Sequence, residues 1–271
     1  MYLCNDFYYL DFPELMDTEI LYSKYGWLLM SKHEVMLFFF NPSTKKKIEL
    51  PHTNASFSSI CFTSPPTSSC YIVFGILYTS LLNEIHFSFI KVGDEERESH
   101  TSDLGSEHFW RSTCPLVFLN GVYYCLDCTF GNIMMFDLTK DKYELIKLPP
   151  IAHKRYMVEV DGDVWGVFVT SNERQVSVQK LNLSEKRWIK LESLGNKCLY
   201  ISKNGSFAKT CVVNGMANKI YFNKFYGKSG VMYSLTTRMH HVVDGGFASK
   251  KAYGLTEAEY GVWIKSTLDQ M

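Results

Sequence analysis

Short apolar runs separated by polar turns follow one another along the chain, and they come in pairs. The first member of a pair is a turn leading into an apolar run: YGWLLM from Tyr25, YIVFGI from Tyr71, NGVYYC from Asn120, DGDVWGV from Asp161, NKIYFN from Asn218 and YGVWIK from Tyr260. The second is an aromatic or apolar run that mostly ends in a polar turn: FFFNPST from Phe38, FSFIKV from Phe87, MFDLTKD from Met135, VQKLNLS from Val178 and VMYSLTT from Val231. The partner of YGVWIK does not follow it. It stands at the other end of the chain as FYYLDFPE from Phe7. Strand-period alternation shows in Val158-Glu159-Val160 and in Val176-Ser177-Val178-Gln179. Elsewhere the runs are continuously apolar, as in VMLFFF from Val35, which is how strands buried on both faces read.

The punctuation supports hairpins. Asn120-Gly121, Asp161-Gly162 and Asn204-Gly205 sit between such runs, and Asn-Gly and Asp-Gly tolerate the positive φ of tight hairpin turns. Pro42, Pro51 and Pro149-Pro150 fall at the ends of runs, where a missing N–H costs little. TSPPTSS over 63–69 and GDEERES over 93–99 read as surface loops. The copies start about 45 residues apart on average, within the ~40–50 of propeller blades of four strands. The prediction is an all-β β-propeller of six blades, closed by pairing the N- and C-terminal strands, with residues 1–271 forming one domain. The alternative is a β-sandwich with many hairpins.

Composition agrees with strands: aromatics make up 15% of the chain and the apolar fraction is 46%, enough for a sizeable core. Lys plus Arg equals Asp plus Glu, 28 each, which argues against a broad nucleic-acid footprint and against electrostatic attachment to an anionic membrane. No apolar run approaches the ~18 residues of a membrane helix, and the N-terminal stretch does not read as a secretory signal. A cytoplasmic or nuclear location is therefore expected, with the eight cysteines as thiols rather than a disulfide framework.

Three stretches together resemble a known family: SKYGWLLMSKHEVMLFFFNPSTKKKIELP over 23–51, VFLNGVYYCLD from Val117, and LNLSEKRWIKLESLGNKCLYISKNGSFAKTCVVNGMANKIYF over 181–222. They are similar to plant F-box proteins carrying the KIB-type β-propeller, long called a domain of unknown function. The resemblance covers nearly the whole chain. It implies a substrate-recognition module, in which a preceding F-box docks on the Skp-type adaptor of a cullin–RING ubiquitin ligase and the propeller holds the target protein. No F-box opening of the Leu-Pro-x-x-Leu type is legible in residues 1–271, so adaptor binding by this polypeptide is not expected.

Candidate chemistry adds little. Cys125 and Cys128 form a CxxC without a second ligand pair, which reads as core packing rather than zinc or redox chemistry. His240 and His241, followed by Asp244, read as an exposed turn. Lys45-Lys46-Lys47 reads as a solvated turn, and the sequons at Asn54, Asn182 and Asn204 as chance matches. Trp27, Trp165, Trp188 and Trp263 read as packing between blades, whereas Trp110 lies in an irregular stretch. No catalytic, cofactor-binding or metal-ligating residue is assigned and no cofactor is expected. The expected function is binding of a protein target, unknown from the sequence, on the rim loops and channel mouth, with no nucleic-acid or membrane partner. The rival readings are a propeller-type enzyme and a truncated or degenerate paralogue with no retained partner.

Overall fold

The computed structural model describes residues 15–242, apart from 34, 53–55, 78–83, 105–113, 128–131, 138, 141, 149–153, 171–174, 213–214 and 226–227, together with residues 262–265. The described residues form five antiparallel or mixed sheets. The first holds β1 (Thr18–Lys24), β2 (Trp27–Lys32), β3 (Met36–Asn41) and β4 (Lys46–Glu49). The second holds β5 (Phe57–Phe62), β6 (Ile72–Leu77), β7 (Glu84–Lys91) and β8 (Glu98–Asp103). The third holds β9 (Val117–Leu119), β10 (Val122–Leu126), β11 (Ile133–Asp137) and β12 (Lys142–Ile146). The fourth holds β13 (Lys154–Val160), β14 (Asp163–Val169), β15 (Val176–Asn182) and β16 (Arg187–Leu191). The fifth has five strands, β17 (Lys197–Ile201), β18 (Phe207–Thr210), β19 (Lys219–Phe225), β20 (Lys228–Ser234) and β21 (Met239–Val242), in the order β18-β17-β19-β20-β21.

Two turn chemistries recur and explain the sequence repeat. Tyr25-Gly26, Asn120-Gly121 and Asp161-Gly162 join the first and second strands of their sheets with positive φ at both positions, the primed-turn pattern that matches strand twist. After the third strand, a side-chain oxygen closes the turn. Asn41 Oδ1 accepts from the N–H groups of Ser43 and Thr44, Asp137 Oδ1 from Thr139, and Asn182 Oδ1 from Glu185. The polar endings of the second repeat members are these turns.

The middle strands of the first three sheets are largely buried on both faces. In β3, Leu37 and Phe39 enter a core shared with the second and third sheets, while Phe38 and Phe40 pack on the other face with Leu28 and Met30. The outermost strands are mostly exposed: β4 and β8 carry largely solvated side chains. Aromatic rings fill the inter-sheet space, including Phe74 stacked on Tyr123 at 4.0 Å and Phe39 edge-on to Phe62 at 5.0 Å.

The inner strands β1, β5, β9, β13 and β18 touch in that order around the ring. The last gap is crossed by the turn between β17 and β18: Ser23 N–H donates to Asn204 O at 2.7 Å, and Asn204 Nδ2 donates to Ile20 O at 2.5 Å. Gly205 is pressed against β1 with a φ of +149°, and a Cβ there would stand 2.5 Å from Ser23 O.

This contact corrects the blade count: the propeller has five blades, not six. A sixth copy would have to stand between the first and fifth sheets, and there the Asn204-Gly205 turn already meets β1 directly. The sequence pattern starts the fifth copy at Asn218 and reads Asn204-Gly205 as a hairpin turn ahead of it. In the structure that hairpin joins the fifth sheet: β17 runs parallel to β19 and β18 becomes the inner strand. Residues 7–14, half of the split copy, lie outside the described residues. The other half does reach the seam, though outside any sheet. Val262 packs on the core that holds Leu28, Met30, Phe38 and Phe40, and Trp263 sits between β1 and β17.

Candidate functional site

Four of the five inner strands, β1, β9, β13 and β18, converge with Trp263 and Lys265 on a pocket of about 110 Å³. Its position follows from a bulge. The register of β1 on β2 slips between Ile20 and Tyr22, so that Leu21 is an extra residue. In a regular strand Ile20 and Tyr22 would share a face. The bulge sends Ile20 to the cluster around Val262 and turns Tyr22 into the core between sheets. Tyr22 OH donates to Leu116 O at 3.3 Å and so ties β1 to the entry of β9. Burial, and then the neighbouring Cys61, Tyr25 and Glu159, push the Tyr22 phenol well above its ordinary pKa, so it stays a neutral donor.

Around that floor the lining is aromatic and charged. Tyr25 OH donates to Thr63 O at 3.0 Å, and Lys24 Nζ stands 5.0 Å from the centroid of the Tyr25 ring. Phe207 and Tyr221 stack on either side of Tyr200, each with ring centroids 4.9 Å apart, and Trp263 meets Tyr200 edge-on at 5.2 Å. Trp263 also straps the seam: its Nε1 donates to Ile201 O at 3.2 Å, and its carbonyl accepts from Ser23 Oγ at 3.0 Å. Glu159 is half-buried on β13, and its carboxylate accepts from Gly162 N–H at 3.2 Å. Lys24, Glu159 and Lys265 line the pocket, and none of the three has an ion-pair partner among the described residues. The pocket serines are bound into the ring itself, Ser23 to Trp263 and Ser206 to Ser202. The arrangement is suited to holding a polar side chain against aromatic walls.

Residues 2–253 match the model of the KIB1-4 beta-propeller. The chain belongs to that family. Relatives of this KIB1-4 propeller in Arabidopsis thaliana include an F-box/kelch-repeat protein, 28% identical, aligned over 87% of this chain and 70% of that protein. Two others named as F-box proteins are 26% and 30% identical and align over 80% and 79% of this chain. The matches span 58% and 46% of those two, so the chain corresponds to about half to two thirds of the length of these relatives.

The residues singled out in the sequence are dispersed over the KIB1-4 propeller. Cys125 is buried in the core of the first three sheets, while Cys128 lies outside the described residues. No group of three His, Cys, Asp or Glu residues poised to hold a metal occurs among the described residues. His240 and His241 lie on β21, not in a turn, opposite Tyr233 and Met232, so their side chains leave opposite faces; Asp244 lies outside the described residues. Lys45 does sit in a turn with φ of +56°, but Lys46 and Lys47 belong to β4, where Lys47 pairs with Glu49 at 2.9 Å. Trp27 and Trp188 are buried packing residues as expected, and Trp165 packs at the edge of a core. Trp263 both packs and lines the pocket; Trp110 and Asn54 lie outside the described residues. Asn182 and Asn204 spend their side chains on structural hydrogen bonds. No helix among the described residues is long and apolar enough to cross a membrane.

Sequence reasoning placed recognition at the channel mouth without naming residues. It missed Lys24, Glu159 and Lys265. A signal was present for Glu159: it is the polar position of the Val158-Glu159-Val160 alternation, on a strand that the structure places innermost in its sheet.

Proposed function

We propose that this KIB1-4 propeller, one domain over residues 1–271, binds a protein target and presents it for ubiquitination without carrying out a reaction of its own. The observation that carries the reading is the pocket, where four inner strands and the segment 263–265 gather half-buried charges that have no ion-pair partner among the described residues, beside half-buried aromatic rings. Such a lining is unspent on the fold and suits recognition. The F-box in the names of its relatives supports a place in ligase assemblies, with the adaptor held by F-box sequence and the target by the propeller. A cytoplasmic or nuclear location accompanies this reading.

Proximity labelling with the chain expressed in plant cells tests it. The expected result is a small reproducible set of labelled proteins, at least one of which loses ubiquitin conjugates when the gene is disrupted. Absence of any reproducible partner would sink the binding reading. Residues 1–271 produced alone should not co-purify with a Skp-type adaptor, and a stable complex would overturn the division of labour.

A further inference from the structure

Several lysines elsewhere on the molecule reach a carboxylate: Lys91 reaches Glu98 at 2.7 Å, Lys180 reaches Asp163 at 2.7 Å, Lys186 reaches Glu144 at 3.1 Å and Lys197 reaches Asp161 at 2.7 Å. Lys24 and Lys265 reach none among the described residues, and they share one pocket. Both are half-buried in the pocket wall and neither has a carboxylate within ion-pair distance among the described residues. With Glu159, the pocket carries two ammonium groups and one carboxylate, a net positive charge on a chain whose Lys plus Arg and Asp plus Glu balance at 28 each. Withdrawing an ammonium partly from water without a partner costs free energy, which an incoming anion restores.

We propose that the pocket takes a single acidic side chain of the partner protein, set between Lys24 and Lys265, with a neighbouring aromatic or apolar partner residue against Tyr25, Phe207 and Trp263. The inference rests on the protein-binding reading above and names the chemistry of its partner. Size suits one side chain: the cavity of about 110 Å³ is somewhat smaller than the ~150 Å³ of a cavity that takes a single benzene ring, so one Asp or Glu carboxyl arm fits and a bulkier group does not. Charge selects the same occupant. Glu159 leaves a surplus of one positive charge, too small to neutralise a run of phosphates.

The test uses the full chain and three fluorescein-labelled peptides that differ only at the centre: Gly-Tyr-Glu-Tyr-Gly, its Gln form and its Lys form. Fluorescence anisotropy at low salt should show binding of the Glu peptide, about tenfold weaker binding of the Gln form and still weaker binding of the Lys form. Lys24→Met and Lys265→Met should each weaken the Glu peptide about tenfold and leave the Gln peptide unchanged. Lys186→Met, an ion-paired lysine outside the pocket, should leave all three unchanged, and unaltered thermal unfolding of the variants shows that they fold. Equal affinity for the three peptides, no binding of the Glu peptide, or wild-type affinity in the Lys24→Met/Lys265→Met double variant overturns the proposal. Proximity labelling separates the two levels. Partners kept in full by the double variant refute the pocket chemistry and leave the binding reading standing, whereas no partner for the wild type removes the binding reading itself.

Discussion

Replacing Gly205 by alanine should open the ring at its seam. A Cβ on residue 205 would lie 2.5 Å from Ser23 O and 3.1 Å from Ser23 N, both backbone atoms of β1. Neither side of the contact can swing away as a side-chain tip would. The backbone conformation adds a second cost, because L residues rarely adopt a φ of +149° and holding one there costs about 1–3 kcal/mol. If the turn retreats to relieve the clash, it gives up two hydrogen bonds, Ser23 N–H to Asn204 O at 2.7 Å and Asn204 Nδ2 to Ile20 O at 2.5 Å. Each is worth about 1 kcal/mol net. The expected loss is therefore about 3–5 kcal/mol, or roughly 6–20 °C in Tm for a domain of this size. Urea unfolding followed by tryptophan fluorescence measures it. Gly121→Ala is the matched control: its φ is +82° but nothing lies within 4 Å of the added Cβ, so it bears conformational strain alone, about 1–2 kcal/mol. Hydrogen exchange localises the effect, and the Ser23 amide should lose protection in Gly205→Ala and keep it in Gly121→Ala. Two glycine variants equal in stability, with Ser23 protected in both, would refute closure of the ring through this turn.

Gly166→Val should destabilise the fourth sheet by about 1–3 kcal/mol, because a Cβ there meets Phe168 Cζ at 2.4 Å and Trp188 Cη2 at 3.1 Å in a packed core; calorimetry showing no change would contradict that packing. The contribution of buried Cys61 and half-buried Tyr221 to stability should be level below pH 9 and fall above it. Burial pushes the Cys61 thiol from 9.0 up to about 12 and the Tyr221 phenol from 10.0 up to about 12, so the unfolded chain releases those protons first and the loss develops between pH 9 and pH 12. Denaturant titrations across that range check the sign, and stability that rises with pH would be inconsistent with neutral burial. Iodoacetamide at pH 8 should alkylate exposed Cys70 in the native protein and spare Cys61, as read by peptide mass spectrometry; rapid labelling of Cys61 would mean that the interface between the first two sheets opens.

Much of the fold is legible in the residues, for local reasons. A primed turn needs Gly or a small polar residue at positive φ, so Asn120-Gly121 and Asp161-Gly162 mark hairpins in the structure as they do in the sequence. A turn capped by an Asn or Asp carboxamide or carboxylate needs that residue at the strand end, so Asn41, Asp137 and Asn182 mark the exits of β3, β11 and β15. Asn204-Gly205 looks like another of these hairpin turns and does join β17 to β18. Its glycine is there for a different reason, the approach of β1, and that reason lies 182 positions away in sequence.

The sequence alone therefore determined that the chain is a succession of hairpin-linked strands, with a ring as its prediction and a sandwich as the alternative, because alternation, turn residues and strand length are properties of a few consecutive residues. How many sheets close the ring depends on whether one edge finds its partner across the seam, a contact between Ser23 and Asn204 that no window along the chain contains. The pocket has the same origin. Lys24, Glu159 and Lys265 are ordinary in their own segments and share a pocket only where the tertiary structure brings β1, β13 and the C-terminal strap together and leaves their charges without ion-pair partners among the described residues. Local chemistry writes the blades; the meeting of distant strands decides the count and forms the pocket.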